Sequence, residues 1–214
     1  VIFSEIWRKK LYRRATGAMQ PKTLLCSEVI YEYFCTIKKI RMQVVIISGG
    51  RGEGKTTFLK RCVEELNRRQ RALFGFYADN VKTTQGNEGY HIYKVNSGES
   101  MLLCQRDAPE TGNLNLADFW FDEQAIKTGE QWLQEGVGAR NSIFVLDEAG
   151  KFELDGHVWD KSIQQLLQLE KGMLLMTVRD RFLKEVMNKY GLNRSSCRVV
   201  DNLLFTVKFI DEID

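Results

Sequence analysis

Apolar residues recur along this chain with two periods, one of strands and one of helices, and the two alternate. Short β-branched or apolar runs predict strands at Val44 to Ser48, Ala72 to Tyr77, Ser142 to Asp147 and Met173 to Thr177. Spacings of three and four between them predict helices. One has apolar positions 58/59, 62/63 and 66 and runs to about Gln70; another runs from Ala117 to about Val137, with Phe119, Trp120, Ile126 and Leu133; two more cover 158–170 and 180–190, the last closed by Gly191. Tyr90 to Val95 and Ser100 to Gln105, joined through Asn96-Ser97-Gly98, predict a hairpin. Residues 107–117 predict a loop, and Val199-Val200 and Phe205 to Ile210 predict terminal strands. Unbroken apolar strands alternating with helices belong to an α/β fold with a mainly parallel sheet covered on both faces, here with a β-hairpin extension.

Residues 1–41 stand apart. Apolar positions 2, 3, 6, 7 and 11, then 25, 29/30, 33/34, 37 and 40, predict two amphipathic helices separated by Gly17 and Pro21. The same stretch holds nine Lys/Arg against three Glu in a chain whose net charge is only +3. The expectation is a basic helical N-terminal extension over 1–41, its apolar residues packed and its cations solvated, followed by one domain over 42–214.

Bulk properties narrow the class. A 214-residue chain with 43% hydrophobic and 28% charged residues can bury a full core. The net charge is too small to argue for nucleic acid, and no apolar run of about 18 residues predicts a membrane span. The basic N-terminus lacks the uninterrupted apolar region and small-residue cleavage site of a secretory signal. Five scattered cysteines without a C-x-x-C pair predict reduced thiols and a cytoplasmic setting. His91 and His157 are isolated, which argues against zinc. Trp120, Trp132 and Trp159 sit at helical spacings that predict core positions.

The chemistry begins after the strand at 44–48. Gly49-Gly50-Arg51-Gly52-Glu53-Gly54-Lys55-Thr56-Thr57 fits G-x-x-x-x-G-K-[ST], the phosphate-binding P-loop, between a strand and a helix as that motif requires. Glycines at 49, 50, 52 and 54 let successive N–H groups turn inward without obstruction. The helix N-terminus behind them favours phosphate. Lys55 is expected on the β- and γ-phosphates, Thr56 on Mg²⁺, and the side chains of Arg51 and Glu53 in solvent.

A second motif lies some ninety residues on. Ser142-Ile143-Phe144-Val145-Leu146-Asp147-Glu148 is an apolar strand ending in two acids, the Walker B form. Asp147 is expected to share Mg²⁺ with Thr56, and Glu148 to orient or deprotonate an attacking water. Residues 147–150 also satisfy D-x-x-G of GTPases, but Asn188-Lys189-Tyr190-Gly191 has Gly where a guanine-binding Asp must stand, so guanine selectivity is not supported. Arg179 follows a strand expected to end beside the phosphates, where it can stabilise γ-phosphate charge or pair with Glu148 or Asp180. Arg181, Arg194 and Arg198 are weaker candidates on the same argument. Glu153 is read as a helix cap or a partner of Lys151.

Together these residues resemble the THEP-type (cancer-related) nucleoside triphosphatase family. The likeness covers about residues 43–211. Gly75-Phe76-Tyr77 resembles the family's Gly-Phe pair, Gly89-Tyr90-His91-Ile92 its G-[FY]-x-I strand, and Leu175-Met176-Thr177-Val178-Arg179-Asp180 its later strand and arginine. Its most specific part is Asp147-Glu148-Ala149-Gly150-Lys151-Phe152-Glu153-Leu154, similar to D-E-[IV]-G-K-M-E-L, with Ala149 and Phe152 as mild departures. Residues 1–41 have no counterpart in it. The resemblance implies a RecA-like P-loop NTPase fold, a three-layer sandwich, and Mg²⁺-dependent hydrolysis of several nucleoside triphosphates to diphosphate and phosphate.

Three functions compete on the residues alone. A nucleoside triphosphatase uses Lys55, Glu148 and Arg179 catalytically. A small-molecule or nucleotide kinase needs an acceptor pocket, expected between the 90–105 hairpin and the 118–137 helix. A non-catalytic switch would order a loop for a protein partner, and Glu148 argues modestly against it.

Overall fold

The computed structural model describes residues 42–82, 88–106 and 113–213. The extension expected over 1–41, with its two helices, and residues 107–112 of the expected loop lie outside the described residues. In chain order the elements are β1 (Gln43–Gly49), α1 (Lys55–Arg68), β2 (Leu73–Lys82), β3 (Glu88–Lys94), β4 (Ser100–Gln105), β5 (Asn113–Leu116), β6 (Phe119–Asp122) and α2 (Glu123–Gln134). Then come β7 (Ile143–Ala149), α3 (Lys151–Leu154), α4 (Asp160–Leu167), β8 (Met173–Arg179), α5 (Asp180–Lys189), β9 (Cys197–Val200) and α6 (Val207–Ile213).

The central strands β1, β7 and β8 are apolar on both faces along most of their length because both faces are covered, and turn polar at their carboxyl ends. In β1, Val44 and Ile46 enter one core while Val45 and Ile47 enter the other. β7 and β8 divide in the same way, Phe144, Leu146, Leu174 and Met176 against Ile143, Val145, Met173 and Leu175. Phe58, Leu59, Cys62, Val63 and Leu66 of α1 and Phe209, Ile210 and Ile213 of α6 close one core. Residues of α2, α4 and α5, among them Trp132, Ile163 and Val186, close the other. The three layers expected from the sequence are therefore present.

Among the described residues nine strands form one sheet in the order β5-β6-β4-β3-β2-β7-β8-β1-β9. The half from β2 to β9 is parallel. The half from β2 to β5 is antiparallel, so the extension is larger than one hairpin. Residues 113–116 and 119–122 are strands where the sequence predicted loop and helix, and α2 begins only at Glu123. Phe119, Trp120 and Phe121 extend one pleat, and Asp122 stops it by capping α2: its Oδ1 accepts from the Gln124 and Ala125 N–H groups at 2.7 and 3.1 Å.

The chain end also differs from expectation. Residues 201–206 are irregular and α6 replaces the strand expected over 205–210. Phe205, Val207 and Phe209 alternate like a strand, but Phe209, Ile210 and Ile213 share one helical face against α1. Phe58 meets Phe205 and Phe209 edge-on at 5.7 and 5.2 Å, and that contact decides the period.

Three strand ends gather at one edge. Gly49 pairs with Arg179, and Ala149 with Val178, so the P-loop, the acidic pair and Arg179 emerge side by side from β1, β7 and β8. Ligands of open α/β sheets bind at such carboxyl ends. Among the described residues no helix is long and apolar enough to cross a membrane. Cys62, Cys104 and Cys197 are free thiols, and burial pushes the first two up to about 12.

Candidate active site

The P-loop closes on itself with its own charges. Gly52 and Gly54 take φ of 78° and 91°, a left-handed conformation that side chains resist, and α1 starts directly after them. Lys55 is buried, and its Nζ donates to the Gly50 carbonyl at 2.8 Å. Burial lowers its pKa, opposed by the charge of Glu148. Glu53 is exposed as expected, and its Oε2 also accepts the Gly50 N–H at 2.7 Å. Inward-turned amides make a positive nest, and the nearest carboxylate takes it. Arg51 likewise reaches Glu88, at 3.1 Å.

Asp147 is the most enclosed acid of the site. Its Oδ2 accepts from the Thr56 hydroxyl and the Ala78 N–H, each at 3.0 Å. Its Oδ1 accepts from the Thr177 hydroxyl at 2.5 Å. Burial raises its pKa to about 6, helped by Glu148, although the three donors pull the other way. A buried carboxylate and a hydroxyl from distant elements, both hard oxygen donors, fit a small divalent cation that keeps water and phosphate as its other ligands.

Glu148 is presented by a bulge. Leu146 pairs with Met176 and Ala149 with Val178, which leaves Asp147 and Glu148 opposite Thr177 alone. Glu148 absorbs the extra residue with φ of 62°, an uncommon angle for a non-glycine residue. One hydroxyl holds the bulge: Thr177 Oγ1 accepts the Glu148 N–H at 2.7 Å while donating to Asp147. The Glu148 carboxylate lies against Arg179, whose Nη2 is 3.3 and 3.4 Å from its two oxygens.

Thr177 was named in the sequence only as part of a strand. The available signal was its place as the one hydroxyl in Met173-Leu174-Leu175-Met176-Thr177-Val178, but its two partners are tertiary contacts. The Thr177→Val variant leaves the Glu148 N–H without its partner and frees the bulge. Its turnover is expected to fall roughly 10- to 100-fold with little change in KM, since small misplacements of reacting groups cost that much. Thr177→Ser is expected to restore it. Equal turnover in the Val variant would remove Thr177 from the account.

Glu88 also escaped the sequence reading. It gathers Arg51 at 3.1 Å, Asn80 at 3.0 Å, Tyr90 Oη at 3.0 Å and Arg106 at 3.2 Å at the rim of the P-loop.

Glu153 caps rather than pairing with Lys151. Its Oε2 accepts the Gly150 N–H at 2.7 Å and its Oε1 the Trp159 N–H at 3.4 Å. Burial raises its pKa to about 7 against those bonds. The folded protein therefore holds this proton more tightly than the unfolded chain. Its contribution to stability is full below about pH 4.5 and is lost as pH rises toward about 7, by up to about 3 kcal/mol. Urea midpoints at pH 5 and pH 8 should show a smaller fall for Glu153→Gln than for the wild type. An equal fall in both would contradict the assignment.

Two cavities adjoin here. One of about 310 Å³ follows the P-loop, lined by Gly52, Gly54, Lys55, Thr56, Thr57 and Glu148 among others. A second of about 320 Å³ lies beyond Glu148 and Arg179, with Tyr90, Leu103, Phe119 and Phe121 in its wall, close to where a kinase acceptor pocket was expected.

A protein-family model described as NTPase matches residues 44–201. The nucleoside-triphosphatase THEP1 of Aquifex aeolicus is 27% identical over 127 residues, 58% of this chain and 70% of that protein. The nucleoside-triphosphatase THEP1 of Thermotoga petrophila is 24% identical over 180 residues, 77% and 93% of the two chains. The crystal structure of THEP1 from Aquifex aeolicus superposes with a TM-score of 0.59 at 20% identity, covering 80% of this chain and 96% of that one, a likeness of fold.

Proposed function

Because the chain belongs to the NTPase family, it is a nucleoside triphosphatase, and we propose that it is Mg²⁺-dependent and accepts triphosphates of several bases. The observation that carries the proposal is the 3.0 Å bond between Thr56 and Asp147, which joins the phosphate loop to the acidic strand across 91 residues. Residues 42–214 are proposed as the catalytic domain and 1–41 as an extension to it.

The residues divide by what they address: phosphate, metal or water. Amides of Gly50 to Thr57 wrap the phosphates, displacing the Glu53 carboxylate from the Gly50 N–H. Lys55 Nζ exchanges the Gly50 carbonyl for phosphate oxygens. Thr56 and Asp147 would hold Mg²⁺, which when bound neutralises phosphate charge. Glu148 takes the proton of the attacking water, and the bulge fixes the direction in which its carboxylate points. Arg179 stabilises charge on the transferred phosphoryl group and lies beside the Glu148 carboxylate. All of these groups address phosphate, metal or water and none reads a base edge, which supports broad base use.

The test is phosphate release from ATP, GTP, CTP and UTP, each with Mg²⁺ or with EDTA. Comparable release from all four, lost in EDTA, is expected. Release confined to one base, or undiminished by EDTA, would overturn the corresponding part of the proposal.

A further inference from the structure

Glu148, Arg179 and Tyr90 form a wall with a cavity on either side. The phosphate side carries one aromatic ring, Tyr90. The far side, of about 320 Å³, adds Phe119, Phe121, Phe152, Trp159 and Phe182. Rings of this kind bury 150–250 Å² each and normally fill a core. Phe121 and Trp159 are buried in the core and Phe119, Phe152 and Phe182 are only partly buried against it, so the partly buried rings leave apolar surface, worth roughly 25 cal/mol for each Å² covered, facing the cavity.

Cations flank the rings. The Arg106 guanidinium lies 4.7 Å from the Phe119 ring and that of Arg181 4.5 Å from the Phe182 ring. Arg106 is committed to Glu88 at 3.2 Å. Lys151 and Arg181 are exposed at the cavity and pair with no carboxylate among the described residues. Aromatic walls do nothing for the phosphate chain held in the other cavity, and two cations without a carboxylate partner do nothing for a purely apolar molecule. The volume falls at the lower end of small-molecule sites.

We propose that this cavity binds a second small molecule, an aromatic anion, with its ring against Phe119, Phe121 and Phe152 and its acid group on Lys151 and Arg181. The proposal rests on the reading that the γ-phosphate faces Glu148 from the other cavity. An occupant here stands on the side from which water approaches Glu148, so it slows phosphate release without weakening triphosphate binding.

The probe is 8-anilinonaphthalene-1-sulfonate, an aromatic anion that fluoresces when enclosed. It is titrated into the full chain saturated with Mg²⁺ and a non-hydrolysable ATP analogue, then added to the phosphate-release assay. One saturable site per chain is expected, with kcat for ATP lowered several-fold and KM unchanged. Arg181→Glu and Lys151→Glu should each weaken the probe by about tenfold, the loss of one charge-assisted contact. Phe119→Ala should weaken it too, and if that variant fails to fold the two exposed charge reversals still decide. Absence of saturable binding, displacement of the probe by the analogue, unchanged release at saturating probe, or wild-type binding by both charge reversals would each overturn the proposal. A protein that hydrolyses ATP but fails these tests loses only the second site. One that binds the probe but releases no phosphate loses the triphosphatase reading, and the proposed coupling with it.

Discussion

Lys55→Ala is expected to lose phosphate release by a factor on the order of 10²–10³, the effect of removing one preorganised donor to transition-state charge, and to bind triphosphate more weakly as well. The side chain is buried at the base of the loop, and its ammonium has the Gly50 carbonyl at 2.8 Å as its partner. A carbonyl is a weaker partner than a phosphate anion, so a triphosphate draws Nζ forward. Burial has already lowered the lysine's pKa, which makes a nearby anion more valuable to its charged form. Alanine removes the charge and also leaves a gap beneath the loop. Both KM and kcat should therefore suffer, as read in steady-state phosphate release, and a variant retaining more than half of wild-type kcat/KM would remove Lys55 from the site.

Glu148→Gln separates binding from chemistry. The amide is isosteric, keeps the backbone N–H on Thr177, and can still lie beside Arg179. It cannot take a proton from water. Turnover is expected to fall by roughly 10²–10⁴, the usual worth of a general base, while affinity for a non-hydrolysable analogue changes little or rises. Glu148 differs in this from Asp147, whose three hydrogen bonds make its replacement a structural change as well. Equal turnover in the glutamine variant would move the base to another group; lost nucleotide binding would make Glu148 a ligand-holding residue instead.

Phosphate chemistry was legible in the sequence because it forces residue types at fixed spacing. A loop of glycines, a lysine and a hydroxyl cannot be rearranged without losing its donors, and Thr56 and Asp147 do meet. The parallel core was legible for a similar reason, since strands buried on both faces carry unbroken apolar runs before their polar ends. What stayed hidden depended on partners distant in sequence. The bulge that turns Glu148 is held by Thr177, 29 residues away, and nothing in Leu146-Asp147-Glu148-Ala149 announces it. The segment from Phe205 to Ile210 satisfies a strand and a helix equally until Ile213 and Phe58 are taken into account. Phe119 to Phe121 fits a helical face until Asp122 caps the next element. Glu53 and Arg51 are exposed as expected, but their partners were hidden: a loop rich in N–H groups attracts the acid and Glu88 attracts the base.

The measurement that bears most directly on the whole account is the amount of nucleoside diphosphate and of inorganic phosphate formed from ATP and Mg²⁺ by the purified full chain and by Lys55→Ala. Equal amounts of the two products from the wild type, and neither above background from the variant, are the predicted result. Diphosphate formed without matching phosphate, or both products formed equally well by the variant, would contradict hydrolysis at this site.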